Sequence, residues 1–160
     1  MGEMTYVEDV RPEYGEDVRR ITGSTDFFTQ EEVAIAVELV EERLSRGTVS
    51  GYYFVFAFIE GRMVGYTSYG HIAGTQSSFD LYWIAVDNHV RGKNIGTELI
   101  KKTEEAIRKH GGTRIYVETS SKPMYVPTRA FYEKRGYVVE AILKDFYRKD
   151  DGKVIFVKVV

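Results

Sequence analysis

Residues 84–97 read IAVDNHVRGKNIGT and pass from an apolar strand, through a polar turn, into the first turn of a helix. The first backbone N–H groups of a helix have no partner within it, and the helix dipole adds partial positive charge there. Gly92 and Gly96 let the backbone approach a ligand closely, while Arg91 and Lys93 add donors for phosphate oxygens. The stretch therefore predicts a pyrophosphate site at the start of the helix. The alternative is a plain strand–helix turn in which glycine serves only the geometry.

The turn does not have the pattern of the common nucleotide-binding loops. It lacks the spacing and the Lys-Ser/Thr pair of a Walker A loop, and it lacks the three glycines of a dinucleotide fingerprint. ATP and NAD are therefore less favoured as ligands.

Hydrophobic periodicity predicts the element order β-α-α-β-β-β-α-β-α-β-β, which is a mixed sheet flanked by helices. Thr29 and Glu32 have the spacing of a capping box, and the helix that they begin should run to about Arg46. In the second half we expect a loop at 120–127, a short helix at 128–135, and strands at 137–143 and 154–159 around a turn at 150–152.

Length and composition predict one globular domain over residues 1–160. The chain has 22 Lys and Arg against 24 Asp and Glu, a formal net charge of −2, which argues against binding nucleic acid by bulk electrostatics. It has no cysteine, so thiolate metal sites and cysteine nucleophiles are excluded. The longest apolar run, 52–59, is too short to span a bilayer, and residues 1–20 show no signal pattern. We expect a cytoplasmic protein that does not insert into a membrane.

Two segments resemble motifs of the GNAT superfamily of N-acetyltransferases. Residues 91–96 (RGKNIG) resemble its R/Q-x-x-G-x-G/A pyrophosphate loop, with Asn94 at the usual first glycine. Asn adopts positive φ more readily than most residues, so the loop shape should survive. Residues 130–137 (AFYEKRGY) are similar to the family's F-Y-E-K-x-G-F/Y segment. Tyr125 and Thr128 depart from it, since the family often has Asn and Ala there.

The resemblance covers nearly the whole chain and implies one GNAT-like α/β domain. Its central sheet is mixed and mostly antiparallel, with a splayed parallel strand pair, here 79–86 and 113–118. Acetyl-CoA is the implied co-substrate, and a backbone N–H near the end of the first of these strands would stabilise the oxyanion. Tyr132 stands at the family's general-acid position and would protonate the leaving thiolate. The implied cofactor-binding residues are Ile84, Ala85, Val86, Arg91, Gly92, Lys93, Asn94, Ile95, Gly96, Thr97 and Tyr132.

The general base is open between two carboxylates, Asp80 and Glu118, or a water chain. An amine acceptor is protonated at neutral pH and must lose a proton before it attacks. For either carboxylate alone, a solvated or ion-paired side chain is the plainer interpretation. Three scattered histidines give no metal-ligand spacing, so we expect no metal. Without cysteine an acetyl-thioenzyme cannot form, which favours direct transfer in a ternary complex.

The acceptor is expected to be a small molecule with a primary amine. The resemblance implies that Phe27, Phe28 and Tyr125 contact it, although paired phenylalanines also serve as a helix-entry staple. The sequence does not separate an amino acid from a polyamine, an aminoglycoside or a protein N-terminus.

Three further interpretations remain. A non-catalytic acyl-CoA-binding regulatory module is the main alternative, because neither carboxylate is compelling as a base. Nucleic-acid binding through the pairs Lys101-Lys102 and Arg108-Lys109 is weaker, since glutamates stand among these pairs on a solvated helix face. The apolar final segment, 154–160, is expected near a sheet edge, where it would permit a homodimer.

Overall fold

The computed structural model describes residues 2–90 and 94–160. They form two compact units, the first made of residues 1–70 with 83–106 and the second of 71–82 with 107–160. The strands and helices in chain order are β1 (Met4–Val7), α1 (Tyr14–Ser24), α2 (Gln30–Arg46), β2 (Tyr53–Ile59), β3 (Arg62–His71), β4 (Ser78–Val86), α3 (Ile95–Lys109), β5 (Arg114–Ser120), α4 (Val126–Lys134), β6 (Val138–Arg148) and β7 (Asp151–Val159). None of the helices in the described ranges has both the length and the apolar character that crossing a membrane requires.

The strands follow the order β1-β2-β3-β4-β5-β7-β6. The pairs β1–β2, β2–β3, β5–β7 and β6–β7 are antiparallel, and β4–β5 is parallel. The parallel register ends at Leu81↔Val117, although β4 runs on to Val86 and β5 to Ser120. The predicted α/β class, with a mixed and mostly antiparallel sheet that contains one parallel pair, is confirmed.

The core of the first unit is built by α1, α2 and the inward side chains of β2 and β3. Tyr14 of α1 packs on Phe56 of β2 with ring centroids 4.8 Å apart. Thr22 and Tyr66 share a buried hydrogen bond of 2.6 Å. These contacts fix α1 on the sheet. The buried members of the cluster are Tyr14, Val18, Ile21, Ala36, Val37, Val40, Phe54, Phe56, Met63, Tyr66 and Ala85.

The start of α2 confirms the predicted capping box. The Thr29 hydroxyl accepts from the backbone N–H of Glu32 at 3.1 Å, and the Glu32 carboxylate accepts from the backbone N–H of Thr29 at 3.1 Å. The helix ends at Arg46, and Gly47 follows with φ 64°. Two otherwise unpaired donors are satisfied, so this helix begins at a fixed residue.

A glycine in β3 brings the start of α3 close to the sheet. A Cβ atom at Gly65 would lie 2.9 Å from Leu99 Cδ1 and 3.1 Å from the Ala85 carbonyl oxygen. Any side chain there would push α3 away from β3 and β4. The absence of a side chain at Gly65 therefore allows the N-terminal part of α3 to pack closely on the end of β4.

Several predicted bounds in the second unit were wrong. Helix α4 begins at Val126, with Pro127 in its first turn, because proline lacks only an N–H that has no helical partner there. The last two strands are longer than predicted, and Gly152 lies inside β7 instead of a turn. The pairing of β6 with β7 continues past an irregularity to Arg148↔Asp151. The polar residues in that stretch concealed the strand from the sequence pattern.

The final strand lies next to the edge of the sheet, as expected, but it is not the edge strand itself. Strand β7 pairs with both β5 and β6, so it is interior, and its residues Val154, Phe156 and Val157 are buried. Strand β6 ends the strand order instead. Apolar sequence on β7 reflects burial, not an open edge.

Candidate active site

The described part of the predicted pyrophosphate loop begins at Asn94, the residue before helix α3. Asn94 has φ 52°, and its carbonyl accepts from the backbone N–H of Glu98 at 3.0 Å as the first turn of the helix forms. The left-handed region is open to Asn at lower cost than to most side chains. The prediction that Asn94 takes positive φ where the family usually has glycine is therefore confirmed. The predicted phosphate donors Arg91 and Lys93, and Gly92 between them, lie outside the described residues.

The other predicted cofactor residues of the first unit flank this start. Ile84, Ala85 and Val86 form the end of β4, and Ile95, Gly96 and Thr97 form the first turn of α3. Ala85 and Ile95 are buried, so their side chains serve packing and leave the backbone as the part available to a ligand.

A buried carboxylate follows β4 directly and holds the loop that leads to α3. Asp87 is 2% exposed; its Oδ2 accepts from Arg20 Nη1 at 2.7 Å, and its Oδ1 accepts from the backbone N–H of His89 at 2.9 Å. Burial raises the pKa of Asp87, but the His89 hydrogen bonds and the Arg20 charge outweigh it and hold the pKa below its usual value.

Arg20 connects this loop to helix α1. Its Nη2 donates to Asp17 at 3.2 Å and to the Met63 carbonyl at 2.9 Å, while Nη1 reaches Asp87. One turn further along α1, the Ser24 hydroxyl accepts from the backbone N–H of Asn88 at 3.1 Å. Sequence reasoning missed these residues. It gave Asp87 no role beyond its place in a polar turn, and nothing in the pattern of α1 singles out one arginine that reaches across to it.

We expect Arg20→Met to lower the free energy of unfolding by about 2–3 kcal/mol, measured by urea unfolding at pH 7. The change leaves the buried Asp87 carboxylate without its cation, and the value is below the roughly 3–5 kcal/mol of a fully buried pair because Arg20 remains partly exposed. Asp87 has a lowered folded-state pKa, so its contribution is present above the unfolded pKa. The deficit should therefore shrink as the pH falls through the folded-state pKa.

The matched control is the adjacent arginine. Arg19 makes an exposed ion pair with Glu16 at 3.6 Å, so Arg19→Met should change the free energy of unfolding by less than about 1 kcal/mol. Equal losses for the two variants would show that the Arg20–Asp87 contact does not stabilise the loop.

The two predicted base candidates lie in the second unit and differ in environment. Asp80 stands on β4 opposite Tyr116 of β5 in the parallel register. Burial, followed by repulsion from Glu118, raises the pKa of Asp80 to about 6, and the Lys153 ammonium partly opposes that rise. Glu118 is half exposed, and its Oε2 lies 3.0 Å from Lys153 Nζ. Asp80 therefore has the proton affinity of a base near neutral pH, while Glu118 is engaged in an ion pair.

Lys153 is a further residue that sequence reasoning missed. It lies on β7 opposite Ser120 of β5, and its side chain is largely buried. Its Nζ also lies 3.8 Å from the centroid of the Phe146 ring. The sequence placed this lysine beside the expected turn at 150–152, so only the pairing of β7 with β5 could bring it to Glu118.

Tyr132, the predicted general acid, lies on α4 in an aromatic cluster. Its side chain is 5% exposed and its ring meets those of Tyr137 at 5.8 Å and Phe156 at 5.7 Å. Burial raises the pKa of its hydroxyl, so the hydroxyl carries its proton at neutral pH. These contacts hold the ring in place, and the general-acid role stays a prediction.

The predicted acceptor residues fall in different units. Phe27 and Phe28 precede α2, and Phe28 meets Trp83 edge to face at a centroid distance of 4.9 Å. Phe27 is partly exposed. Tyr125 occupies the N-cap position of α4. Aromatic surface is thus available at both places, and their contact with an acceptor stays a prediction.

Comparison with known proteins gives a consistent set of matches. The Acetyltransferase (GNAT) family model matches residues 16–137. A crystal structure of a GNAT-family protein from Desulfovibrio desulfuricans is 41% identical, with a TM-score of 0.96 over 98% of this chain and 99% of that one. A search of curated protein sequences gives no significant match.

Two more distant structures share the fold. The aminoglycoside 6'-N-acetyltransferase from Enterococcus faecium is 22% identical, with a TM-score of 0.77 over 97% of this chain and 96% of that one. The PaiA N-acetyltransferase from Thermoplasma acidophilum, solved in complex with coenzyme A, is 17% identical, with a TM-score of 0.75 over 99% of each chain.

Proposed function

Since the chain belongs to the GNAT family of acetyltransferases, we propose that it moves an acetyl group from acetyl-CoA to a primary amine of a small molecule in a ternary complex. The observation that carries this proposal is the match of the GNAT family model to residues 16–137, and Asp80, whose pKa is raised to about 6, is the candidate base. The alternative of a non-catalytic binding module arose because neither carboxylate was compelling as a base. The environment of Asp80 favours the enzyme.

In the proposed reaction Asp80 takes a proton from the acceptor ammonium, directly or through water. The free amine nitrogen attacks the thioester carbonyl, and a backbone N–H at the end of β4 stabilises the oxyanion. The carbon–nitrogen bond forms, the carbon–sulfur bond breaks, and the new amide nitrogen loses its second proton to water. Tyr132 donates its proton to the leaving thiolate and regains one from solvent.

Acetyl-CoA as the donor is supported by the start of α3. Asn94 holds the left-handed conformation that the loop requires, and Gly96 has no side chain to fill the space beside the first turn of the helix. The Thermoplasma acidophilum protein, which has the same fold, binds coenzyme A.

A cationic acceptor is supported by the charges around Asp80. Two carboxylates, Asp80 and Glu118, stand with one ammonium, Lys153, so this group carries one net negative charge when all three are ionised. Such a site attracts an ammonium ion and disfavours an anion. The Enterococcus faecium relative in fold acts on aminoglycosides, which are small polyamines of this kind.

We expect acetyl-CoA at ~100 times its dissociation constant to raise the melting temperature by about 5–10 °C, because binding stabilises the folded state by roughly 2.7 kcal/mol. Asn94→Gly should keep this shift, since glycine adopts positive φ freely. Asn94→Val should lose most of it, because a β-branched residue is strained there. Thermal melts with ATP and NAD serve as ligand controls. Equal shifts for the glycine and valine variants would contradict the role of the left-handed turn.

Turnover is tested by thiol release with a panel of primary amines, polyamines and aminoglycosides. The proposal predicts release with at least one amine and intersecting initial-rate lines, as a ternary complex requires. Parallel lines, with a trapped acetyl-enzyme, would refute direct transfer. Binding of acetyl-CoA without release for any amine would favour the regulatory module.

A further inference from the structure

Three charged side chains lie together on one face of the second unit, near the carboxyl end of β5. Asp80 of β4 stands opposite Tyr116 in the parallel register, and Glu118 follows Tyr116 by two residues on β5, so the two carboxylates share a face. Lys153 of β7 stands opposite Ser120, the next residue of β5 on that face. Asp80, Glu118 and Lys153, here called the acidic group, therefore combine two carboxylates with one ammonium.

Two contacts hold the ammonium of Lys153 on Glu118. Lys153 Nζ lies 3.0 Å from Glu118 Oε2, and it lies 3.8 Å from the centroid of the Phe146 ring, whose face attracts a cation. The Lys153 side chain is 13% exposed, whereas that of Glu118 is 49% exposed. Lys153 cannot swing into solvent without losing both contacts. Its ammonium is therefore a fixed charge, while Glu118 remains open to solvent.

A second ammonium on the acceptor would meet this fixed charge. In the proposed reaction the reacting ammonium of the acceptor comes to Asp80. The Cα atoms of Asp80 and Glu118 are on the order of 8 Å apart, because two residues along a strand span ~6.6 Å and paired strands lie ~4.8 Å apart. A short diamine with one end at Asp80 would bring its other ammonium toward Glu118, where the ammonium of Lys153 already stands. The two like charges would repel each other.

We propose that Lys153 is a specificity-determining residue that favours acceptors with one ammonium and disfavours short diamines, because its own ammonium already occupies Glu118. This inference rests on the function proposed above and narrows its acceptor. With all three side chains ionised, the acidic group carries one net negative charge, which the ammonium of a monoamine neutralises. A diamine would leave one positive charge in excess. Lys153 thus acts as a repulsive element built into the site, which is a common basis of specificity.

Binding of a matched pair of amines tests this inference without an assay of turnover. The compounds n-pentylamine and 1,4-diaminobutane have the same length and differ by an ammonium in place of a methyl group. Their dissociation constants are measured by NMR titration at pH 8 in the presence of coenzyme A. The wild type should bind n-pentylamine more tightly. Lys153→Met should raise the relative affinity for the diamine at least ~10-fold, because it removes the repelling charge and frees Glu118 to bind the second ammonium.

Three further variants separate the charge of Lys153 from its packing. Lys153→Arg keeps the positive charge and should hold the ratio of the two dissociation constants within ~3-fold of the wild type. Lys109→Met removes an exposed charge at the end of α3 and should also leave the ratio unchanged. Glu118→Gln leaves Lys153 without its carboxylate, so the ratio should shift at least ~3-fold further toward n-pentylamine. This opposite sign keeps the test decisive if the methionine variant does not fold.

The role of Lys153 and the proposed acetyl transfer would fail in different ways. An unchanged ratio in Lys153→Met and Glu118→Gln would overturn the role of Lys153. Absence of binding of both amines to the wild type and to Lys153→Met would overturn it as well. Thiol release with other amines of the panel would still support acetyl transfer in either case. A shifted ratio without thiol release for any amine would refute the transfer and leave the charge selection in place.

Discussion

Asp80→Asn is expected to lower kcat about 100-fold or more and to abolish the rise in rate as the pH passes through 6. The substitution keeps the size of the side chain and removes its ability to take a proton, and general-base catalysis contributes roughly 10²–10⁴-fold. In the wild type, Asp80 is protonated below its pKa of about 6 and ionised above it, so kcat/KM should climb through that pH. The pH profile is measured by thiol release with the best amine of the panel.

The neighbours of Asp80 provide controls with opposite signs. Glu118 raises the pKa of Asp80, so Glu118→Gln should move the acid limb of the profile to lower pH. Lys153 lowers that pKa, so Lys153→Met should move the limb to higher pH. Both variants keep the base and should retain activity at pH 8. If the limb stays in place in both, the titrating group is not Asp80.

At pH 8 the ionised Asp80 carboxylate should lower the free energy of unfolding. A carboxylate kept only for its structural role would not be expected to do so. The folded-state pKa of Asp80 lies above its usual value, so the folded state binds its proton more tightly than the unfolded state does. Asp80 therefore favours folding below its unfolded pKa, and this contribution is lost as the pH rises through about 6. Since the neutral Asn has no such penalty, Asp80→Asn should be more stable than the wild type at pH 8, while it is far less active.

Local sequence signals predicted the fold well wherever one segment decides its own structure. The capping box at Thr29 and the left-handed conformation of Asn94 depend on a few neighbouring residues, so both could be predicted from the local sequence. The order of elements follows from periodicity for the same reason. The second half was harder, because Pro127 fits a helix start as well as a loop, and polar residues in β6 hide a strand that is held by its partner.

The side-chain contacts between residues far apart in the chain could not be predicted from the sequence. Arg20 reaches Asp87 across the first unit, and Lys153 reaches Glu118 because β7 pairs with β5. Neither contact has a spacing that a pattern can detect. The family resemblance named both carboxylates as candidates, but only their surroundings separate Asp80, with its raised pKa, from the ion-paired Glu118. Apolar sequence also does not distinguish an edge strand from the strand beside it, so only the pairing of β7 with both β5 and β6 fixes its place in the sheet.

Tyr132→Phe should lower kcat by about 100-fold and leave the dissociation constant of acetyl-CoA within ~3-fold of the wild type. Phenylalanine keeps the ring contacts with Tyr137 and Phe156 and removes only the hydroxyl proton that the leaving thiolate needs. An interaction made only in the transition state lowers kcat without weakening ground-state binding. Single-turnover kinetics and calorimetric titration with acetyl-CoA give the two quantities separately.

The neighbouring Tyr137→Phe is the matched control, since it removes a buried hydroxyl from the same aromatic cluster and should keep kcat within ~3-fold. Burial raises the pKa of the Tyr132 hydroxyl, so this group should keep its proton up to pH 9 and contribute no basic limb to the wild-type profile. An unchanged kcat in Tyr132→Phe would assign the tyrosine to packing alone. A loss shared equally by the two variants would point to the cluster, because a proton donor acts through one hydroxyl and a disturbed core acts through both.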